Sequence, residues 1–419
     1  MERFLIEGGT ALNGKVKVHG AKNAALPILS AALLIDGESV IHNCPDLSDV
    51  RASVHILESL GCQCHREGDT LTVKADAICS SQIPDDLMQK TRSSIIFLGA
   101  VAARCGTAVL SSPGGCDLGP RPIDLHLSSL RQLGLCIKEE HGSLYCNSEK
   151  GLFGTSIYIP IPSVGTTENI MIAAATAKGT TRICNAAREP EIVDLANFLN
   201  GAGANVQGAG SCDIVIEGVS SLHSVEHSII PDRILTATYM SAVAVTGGDA
   251  LIEGAIPEHL KAVSAEFIKM GCQISTKNEG IRIAAPKRLS RLKSVKTQYY
   301  PGFPTDAGPT LIAALCTADG TSTFTENIFE NRFKFVDELR RLGADIKTEG
   351  GTAIIDGVKA LSGAQVKCTD LRGGAALLVA GLAANGVTTL CDVHHINRGY
   401  ENPVENFKNL GANIKRTDV

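Results

Sequence analysis

The sequence predicts a two-domain α/β protein with helices inside and sheets outside. Three observations predict it: a sixfold internal repeat, helical segments that are apolar on every side, and a length of 419 residues, more than one hydrophobic core ordinarily supports. The repeat is marked by a helix-ending glycine followed by a short strand, in Ser-Leu-Gly61-Cys, Gln-Leu-Gly134-Leu, Gly-Ala-Gly203-Ala, Lys-Met-Gly271-Cys, Arg-Leu-Gly343-Ala and Asn-Leu-Gly411-Ala. These glycines are 73, 69, 68, 72 and 68 residues apart, so the chain is six units of about 70 residues.

Each unit contains an apolar helix, a strand, an amphipathic helix closed by the marker glycine at its C-cap, and a strand hairpin. One unit shows all of these. After Thr305-Asp306, Thr310-Leu-Ile-Ala-Ala-Leu-Cys316 is continuously apolar, Thr321-Ser-Thr-Phe-Thr325 is strand-like, and Val336-Asp-Glu-Leu-Arg-Arg-Leu342 is amphipathic; Ala344-Asp-Ile-Lys then turns at Gly350-Gly351. A helix apolar all round has to be buried, which puts the helices inside and the sheets outside.

The sixth unit supplies one hairpin strand, Ala412-Asn-Ile-Lys-Arg-Thr-Asp-Val419, and needs a partner from elsewhere. Phe4-Leu-Ile-Glu-Gly8 resembles the returning hairpin strands Ile214-Val-Ile-Glu-Gly218 and Ala353-Ile-Ile-Asp-Gly357, so the N-terminal segment is expected to complete the sixth unit. Residues 21–230 then form the first three-repeat domain, and residues 1–20 with 231–419 form the second.

Composition narrows the function. Apolar residues at 44% and charged residues at 20% are ordinary for a globular protein. A net charge of −5 offers no basic field for nucleic acid and argues against a six-part clamp around DNA. No apolar stretch reaches membrane-spanning length and the N-terminus has no apolar signal region, which predicts a cytoplasmic protein. The 14 cysteines show neither Cys-x-x-Cys nor clustered Cys/His spacing, so reduced thiols and no metal site are expected.

Charged residues recur at equivalent places. The first-helix starts carry Ala21-Lys22-Asn23, Lys90-Thr91-Arg92, Ser163-Val164-Gly165, Pro231-Asp232-Arg233, Pro304-Thr305-Asp306 and Thr369-Asp370-Leu-Arg372. The second-helix starts carry Arg121-Pro122-Ile123-Asp124, Arg188-Glu189, Asn331-Arg332 and Asn397-Arg398. A basic residue is unfavourable beside the positive end of a helix unless an anion is present, so Lys22, Arg92 and Arg372 point to an anionic ligand. If the two domains face each other with these ends inward, arginines and helix N-termini line a cleft suited to a sugar nucleotide and a phosphorylated small acid. Pro113-Gly-Gly-Cys116-Asp-Leu-Gly-Pro120 adds a glycine-rich loop with one thiol, and Asp306 is either a helix cap or a general base.

Seven segments in order resemble one family: Gly20-Ala-Lys22-Asn23-Ala-Ala-Leu-Pro-Ile, Pro113-Gly-Gly-Cys116-Asp-Leu-Gly-Pro-Arg121-Pro-Ile-Asp124-Leu-His126, Ser163-Val-Gly-Thr-Thr-Glu168-Asn, Asn185-Ala-Ala-Arg188-Glu-Pro-Glu-Ile-Val-Asp194, Phe303-Pro-Thr-Asp306, Phe329-Glu-Asn-Arg332-Phe and Asn397-Arg398-Gly-Tyr400-Glu. The chain resembles, nearly end to end, the UDP-N-acetylglucosamine 1-carboxyvinyltransferases, enolpyruvyl transferases of bacterial cell-wall synthesis. The resemblance implies an inside-out α/β barrel of three βαβαββ-like units in each domain, with the active site in the interdomain cleft. It further implies transfer of enolpyruvyl from phosphoenolpyruvate to the 3′-hydroxyl of UDP-N-acetylglucosamine by addition and elimination, with no metal or organic cofactor. Among relatives, the enzyme acting on shikimate 3-phosphate shares the architecture, and the Cys116 loop with Arg121-Pro-Ile-Asp124-Leu favours the UDP-sugar enzyme.

Carried to matching positions, the resemblance puts Lys22, Asn23, Arg121 and Arg398 on phosphoenolpyruvate, with Arg372 adding charge nearby. Arg92, Arg121, Pro122, Ile123, Asp124, Leu125, Ser163, Val164, Asp306 and Ile328 would bind the UDP-sugar, and Arg332 and Asp370 are assigned to substrate binding with them. Cys116 would be the proton donor, able also to add to phosphoenolpyruvate, and Asp306 the base; Lys22 and Arg398 complete the catalytic set. At Ile161-Pro162, just before Ser163, certain members carry a basic residue instead.

Overall fold

A computed structural model describes residues 2–111, 113–114, 123–277 and 279–418. They divide into two compact units, one of residues 20–114 with 123–230, the other of residues 2–19 with 231–418.

In the second unit all eight residues of helix Gly308–Leu315 are buried, as are twelve of thirteen in each of Arg233–Val245 and Leu371–Ala383. These three helices pack on one another. Their few hydroxyls are satisfied internally: Ser241 Oγ donates to the Ala237 carbonyl (2.8 Å) and to Thr310 Oγ1 of the neighbouring helix (3.1 Å). The first unit repeats the arrangement with Lys22–Ala32, Phe97–Cys105 and Val164–Ala174.

Sheets cover these cores, and their strands bury alternate residues. Thr180–Cys184, for example, hides Thr181 and Ile183 and shows Thr180 and Arg182 to water. The second unit has three four-stranded sheets, while the first has two of four strands and one of three. All six marker glycines have positive φ, from 108° at Gly61 to 88° at Gly411, a conformation in which a Cβ would be strained. They end the outer helices and turn the chain into the hairpin.

Strand Glu2–Glu7 lies between Val387–Cys391 and Asn413–Asp418, antiparallel to both, with Phe4 opposite Leu390 and Ile6 opposite Ile414. Two further pairings close the units. Asn13–Lys17 runs parallel to Asp249–Glu253, whereas Leu222–Ser228 runs parallel to Ile35–His42. Each of these strands precedes a core helix in sequence yet belongs to the other unit's sheet.

All thirteen described cysteines are free thiols. Among the described residues no group of three or more His, Cys, Asp or Glu is placed to hold a metal ion, and no helix is long and apolar enough to cross a membrane.

Phe4 is fully buried at the centre of the sheet that Glu2–Glu7 completes. Phe4→Ala is expected to lower the stability of the second unit by about 3–5 kcal/mol, read by chemical denaturation. An unchanged midpoint would mean that this strand does not hold its sheet together.

Candidate active site

In the first unit the starts of the three core helices meet one cavity of ≈ 190 Å³. Its lining includes Asn23 from Lys22–Ala32, Arg92 and Ser93 from the 3-10 turn before Phe97–Cys105, and Val164, Gly165 and Glu168 from Val164–Ala174, with His126 added by an outer helix. Helix Lys22–Ala32 begins without a side-chain cap, and its first residue, Lys22, is 8% exposed. Lys22 Nζ donates to Asp49 Oδ2 at 3.0 Å, and Asp49 is itself buried in the first turn of Ser48–Leu60. A buried cation at the positive end of a helix is thus held by a buried carboxylate.

Arg92 Nη1 donates to the Pro113 carbonyl at 3.4 Å, and Thr91 caps its turn by accepting from the Ser93 N–H. Ser163 caps Val164–Ala174, its hydroxyl accepting from the Thr166 N–H. The His126 imidazole is oriented by Asn169, whose Nδ2 lies 3.1 Å from Nδ1 while also donating to the Ile95 carbonyl and whose Oδ1 accepts from the Gly99 N–H. With Asn169 donating to Nδ1, the remaining ring proton sits on Nε2. Burial, helped by Arg92, pushes the His126 pKa down to about 4. The His126 ring lies so close to Gly165 that a Cβ there would come within 3.2 Å of it.

In the second unit the helix starts gather around Asp306. Its Oδ1 accepts from Arg332 Nη2 at 2.7 Å, and its Oδ2 accepts from Arg372 Nη2 at 3.1 Å and Nε at 3.2 Å. Both guanidiniums are almost fully buried, whereas the Asp306 side chain is 27% exposed. Arg372 Nη1 also donates to the Tyr400 hydroxyl, which lies 2.9 Å from Thr238 Oγ1. Burial works against the charge on Arg372, yet Asp306, Tyr400 and Asp232 together make its proton harder to remove than in water.

The residues named from sequence fall as follows. Lys22, Asn23, Arg92, Ser163 and Val164 stand at the helix starts of the first unit, with Ile123, Asp124 and Leu125 opening the outer helix Asp124–Gln132. Asp306, Arg332 and Arg372 are joined by hydrogen bonds in the second. Asp370 caps Leu371–Ala383, accepting from the Arg372 and Gly373 N–H groups at 3.0 and 3.1 Å. Arg398 ends the 3-10 turn Val393–Arg398. Cys116, Arg121 and Pro122 lie outside the described residues.

Two of the buried carboxylates that sequence reasoning missed hold other residues of the helix starts. Asp49 holds Lys22. Glu326, 6% exposed, accepts from Thr297 Oγ1 (3.0 Å), Thr305 Oγ1 (2.8 Å) and the Ile328 and Phe329 N–H groups (2.7 and 3.2 Å), which ties Ile328 to the turn that carries Asp306. For Glu326 the only signal in the sequence is an acidic residue directly after the strand-like segment Thr321-Ser-Thr-Phe-Thr325.

Comparison with known proteins fits this geometry. The family described as EPSP synthase (3-phosphoshikimate 1-carboxyvinyltransferase) matches residues 6–407. UDP-N-acetylglucosamine 1-carboxyvinyltransferase 1 of Symbiobacterium thermophilum is 52% identical over 420 residues, covering 99% of this chain and 95% of the relative. UDP-N-acetylglucosamine 1-carboxyvinyltransferase 2 of Caldanaerobacter subterraneus is 50% identical over 416 residues, with 99% and 100% covered. The crystal structure of the enolpyruvyl transferase NikO from Streptomyces tendae matches with a TM-score of 0.90 at 28% identity, over 99% of each chain. The fold is therefore that of an enolpyruvyl transferase. The chain belongs to the EPSP synthase family and, within it, to the UDP-N-acetylglucosamine 1-carboxyvinyltransferases.

The depressed pKa of His126 has a consequence for stability. The unfolded chain takes up this proton near pH 6.5 and the folded chain only near pH 4, so the group contributes a loss of stability as pH falls through that window. His126→Gln is expected to flatten the urea-midpoint profile between those limits. An identical slope in the variant would show that His126 is not the depressed group.

Proposed function

We propose that this chain transfers the enolpyruvyl group of phosphoenolpyruvate to the 3′-hydroxyl of UDP-N-acetylglucosamine and releases phosphate, the first committed step of peptidoglycan synthesis, in the cytoplasm. The observation that carries this is 52% identity over 99% of the chain to a relative named for that transfer. Converging helix N-termini with Lys22 and Arg92 in one unit and Arg332 and Arg372 in the other are suited to two phosphorylated substrates.

In this reading Lys22, Asn23, Arg121 and Arg398 take phosphoenolpyruvate, with Arg372 adding positive charge. Arg92, residues 121–125, Ser163, Val164, Asp306 and Ile328 take the sugar nucleotide, and Arg332 and Asp370 act through Asp306 and Arg372, which they touch or cap. Cys116 delivers a proton to C3 of phosphoenolpyruvate, C2 becomes electrophilic, and the sugar 3′-oxygen bonds to it. Asp306 accepts the hydroxyl proton. Both of its oxygens are engaged by guanidiniums, Oδ1 by Arg332 and Oδ2 by two donors of Arg372, which orients the carboxylate. The tetrahedral phospholactoyl ketal then loses a C3 proton and phosphate to give the enol ether, and the cationic side chains stabilise the departing phosphate. This chemistry calls for no metal or organic cofactor.

The test is phosphate release with phosphoenolpyruvate and either UDP-N-acetylglucosamine or shikimate 3-phosphate. Release with the sugar nucleotide alone is expected, and turnover only with shikimate 3-phosphate would overturn the proposal. Asp306→Asn should still bind UDP-N-acetylglucosamine while turnover falls about a thousandfold, equivalent to roughly 4 kcal/mol of transition-state stabilisation. Near-normal turnover would leave Asp306 as an anchor for its two arginines.

The thiol is tested separately. An epoxide phosphonate of the fosfomycin type is expected to inactivate the enzyme by alkylating Cys116, faster with UDP-N-acetylglucosamine bound, and Cys116→Asp should escape while keeping an acid in place. Peptide mass spectrometry locates the adduct. Inactivation with the adduct on another cysteine would remove Cys116 from the site.

A further inference from the structure

One group on the wall of the first unit's cavity has no part in the reaction as written. Glu168 lies one turn into Val164–Ala174, is 3% exposed, and lines the cavity with Asn23, Arg92, Ser93 and His126. Its helix neighbours are engaged: Thr167 Oγ1 accepts from the Ala187 N–H at 3.1 Å, and Asn169 joins His126, Ile95 and Gly99. Among the described residues the Glu168 carboxyl meets no hydrogen-bond partner. A carboxyl is rarely buried with nothing to bond to, and one that borders a cavity is matched by what enters it.

The rest of the wall defines the occupant's chemistry. Arg92 is a cation, Ser93 and Asn23 offer a hydroxyl and an amide, and the His126 tautomer set by Asn169 carries its proton on Nε2, the ring edge beside Gly165. Val164 and Gly165 begin a helix whose N-terminal N–H groups also point outward. Leu26, Pro27, Ile95 and Ile96 complete the wall with apolar surface, and the donors set among them select oxygen acceptors on a ligand that also has an apolar face. An anionic carboxylate in the middle of this wall would repel a phosphorylated ligand, but burial, with Glu191 and Glu189 close by, keeps Glu168 protonated far above the usual carboxylate range. The cavity of ≈ 190 Å³ has about the liquid volume of six waters, enough for part of a sugar nucleotide.

We propose that Glu168 donates a hydrogen bond to an acceptor oxygen of the sugar nucleotide bound in this cavity and so contributes to its recognition. The proposal rests on the function proposed above. Removing one such bond is expected to weaken binding about tenfold. Glu168→Met, similar in length but without a donor, should raise KM for UDP-N-acetylglucosamine by about that factor while kcat and KM for phosphoenolpyruvate change less than about threefold. Glu168→Gln keeps a donor at the same reach and should recover most of the loss. If the Met variant does not fold, Glu168→Asp, which withdraws the acid by one carbon, serves in its place, with calorimetric binding of UDP-N-acetylglucosamine as the readout. An unchanged KM in the Met or Asp variant, or a Gln variant as impaired as Met, would overturn the role of Glu168 while the wild-type reaction stands. A wild-type enzyme inactive toward UDP-N-acetylglucosamine would overturn the underlying function instead.

Discussion

Helices with almost no polar face have to be covered on every side, and most of this structure follows from that need. Gly308–Leu315, Arg233–Val245 and Leu371–Ala383 bury nearly every residue, so sheets must wrap them and outer helices must fill the gaps. Hydrocarbon cannot accommodate charge, which leaves the helix ends as the places for chemistry. At their N-terminal ends the unpaired N–H groups and the helix dipole favour anions. The cationic side chains at those ends act in the same sense toward a phosphorylated ligand, but in its absence they need carboxylates. Asp49 serves Lys22, and Asp306 serves both Arg332 and Arg372.

The two units solve this problem with different chemistry. In the first, Lys22 has its carboxylate, Arg92 is the cation on the cavity wall, and the two other titratable groups there are held neutral, His126 by a lowered pKa and Glu168 by a raised one. That wall offers donors without adding negative charge. In the second, a carboxylate is kept partly open to water between two buried guanidiniums and is positioned by its own turn. A carboxylate held in this way suits the proton acceptance proposed for it, and the donors on the first unit's wall suit an anionic ligand. The sixfold repeat therefore supplies similar scaffolds whose helix starts have specialised.

Much of this was legible in the sequence. The marker glycines are visible because only residues free of a Cβ adopt φ near 90–108° cheaply, and all six do so. The similarity of Phe4-Leu-Ile-Glu-Gly8 to two returning strands pointed to the sheet in which Glu2–Glu7 lies. The other closing strands gave no such cue. Asn13–Lys17 pairs with Asp249–Glu253, and Leu222–Ser228 with Ile35–His42, across roughly two hundred residues or more, and five to eight residues of local pattern do not encode so distant a partner. The cationic site residues stood out because they break the expected pattern at helix starts. Asp49, Glu326 and Glu168 did not, since acidic residues near a helix start or after a strand look like ordinary surface charge until burial is known.

Glu326 shows why that blind spot matters for catalysis. Its carboxylate is satisfied by two threonine hydroxyls and two backbone N–H groups rather than by a cation, so its geometry is fixed from four directions. Two of those bonds set the loop of Ile328, and a third sets Thr305, whose carbonyl accepts from Arg332 at 3.0 Å. Arg332 in turn grips Asp306. The orientation of the proposed base thus depends on a chain of hydrogen bonds that begins at a residue remote from the reacting atoms, in a strand end that a sequence pattern treats as punctuation. Positional precision of this kind comes from over-determination, with each group held by more contacts than folding alone would need, and the buried carboxylates are where the molecule concentrates those contacts.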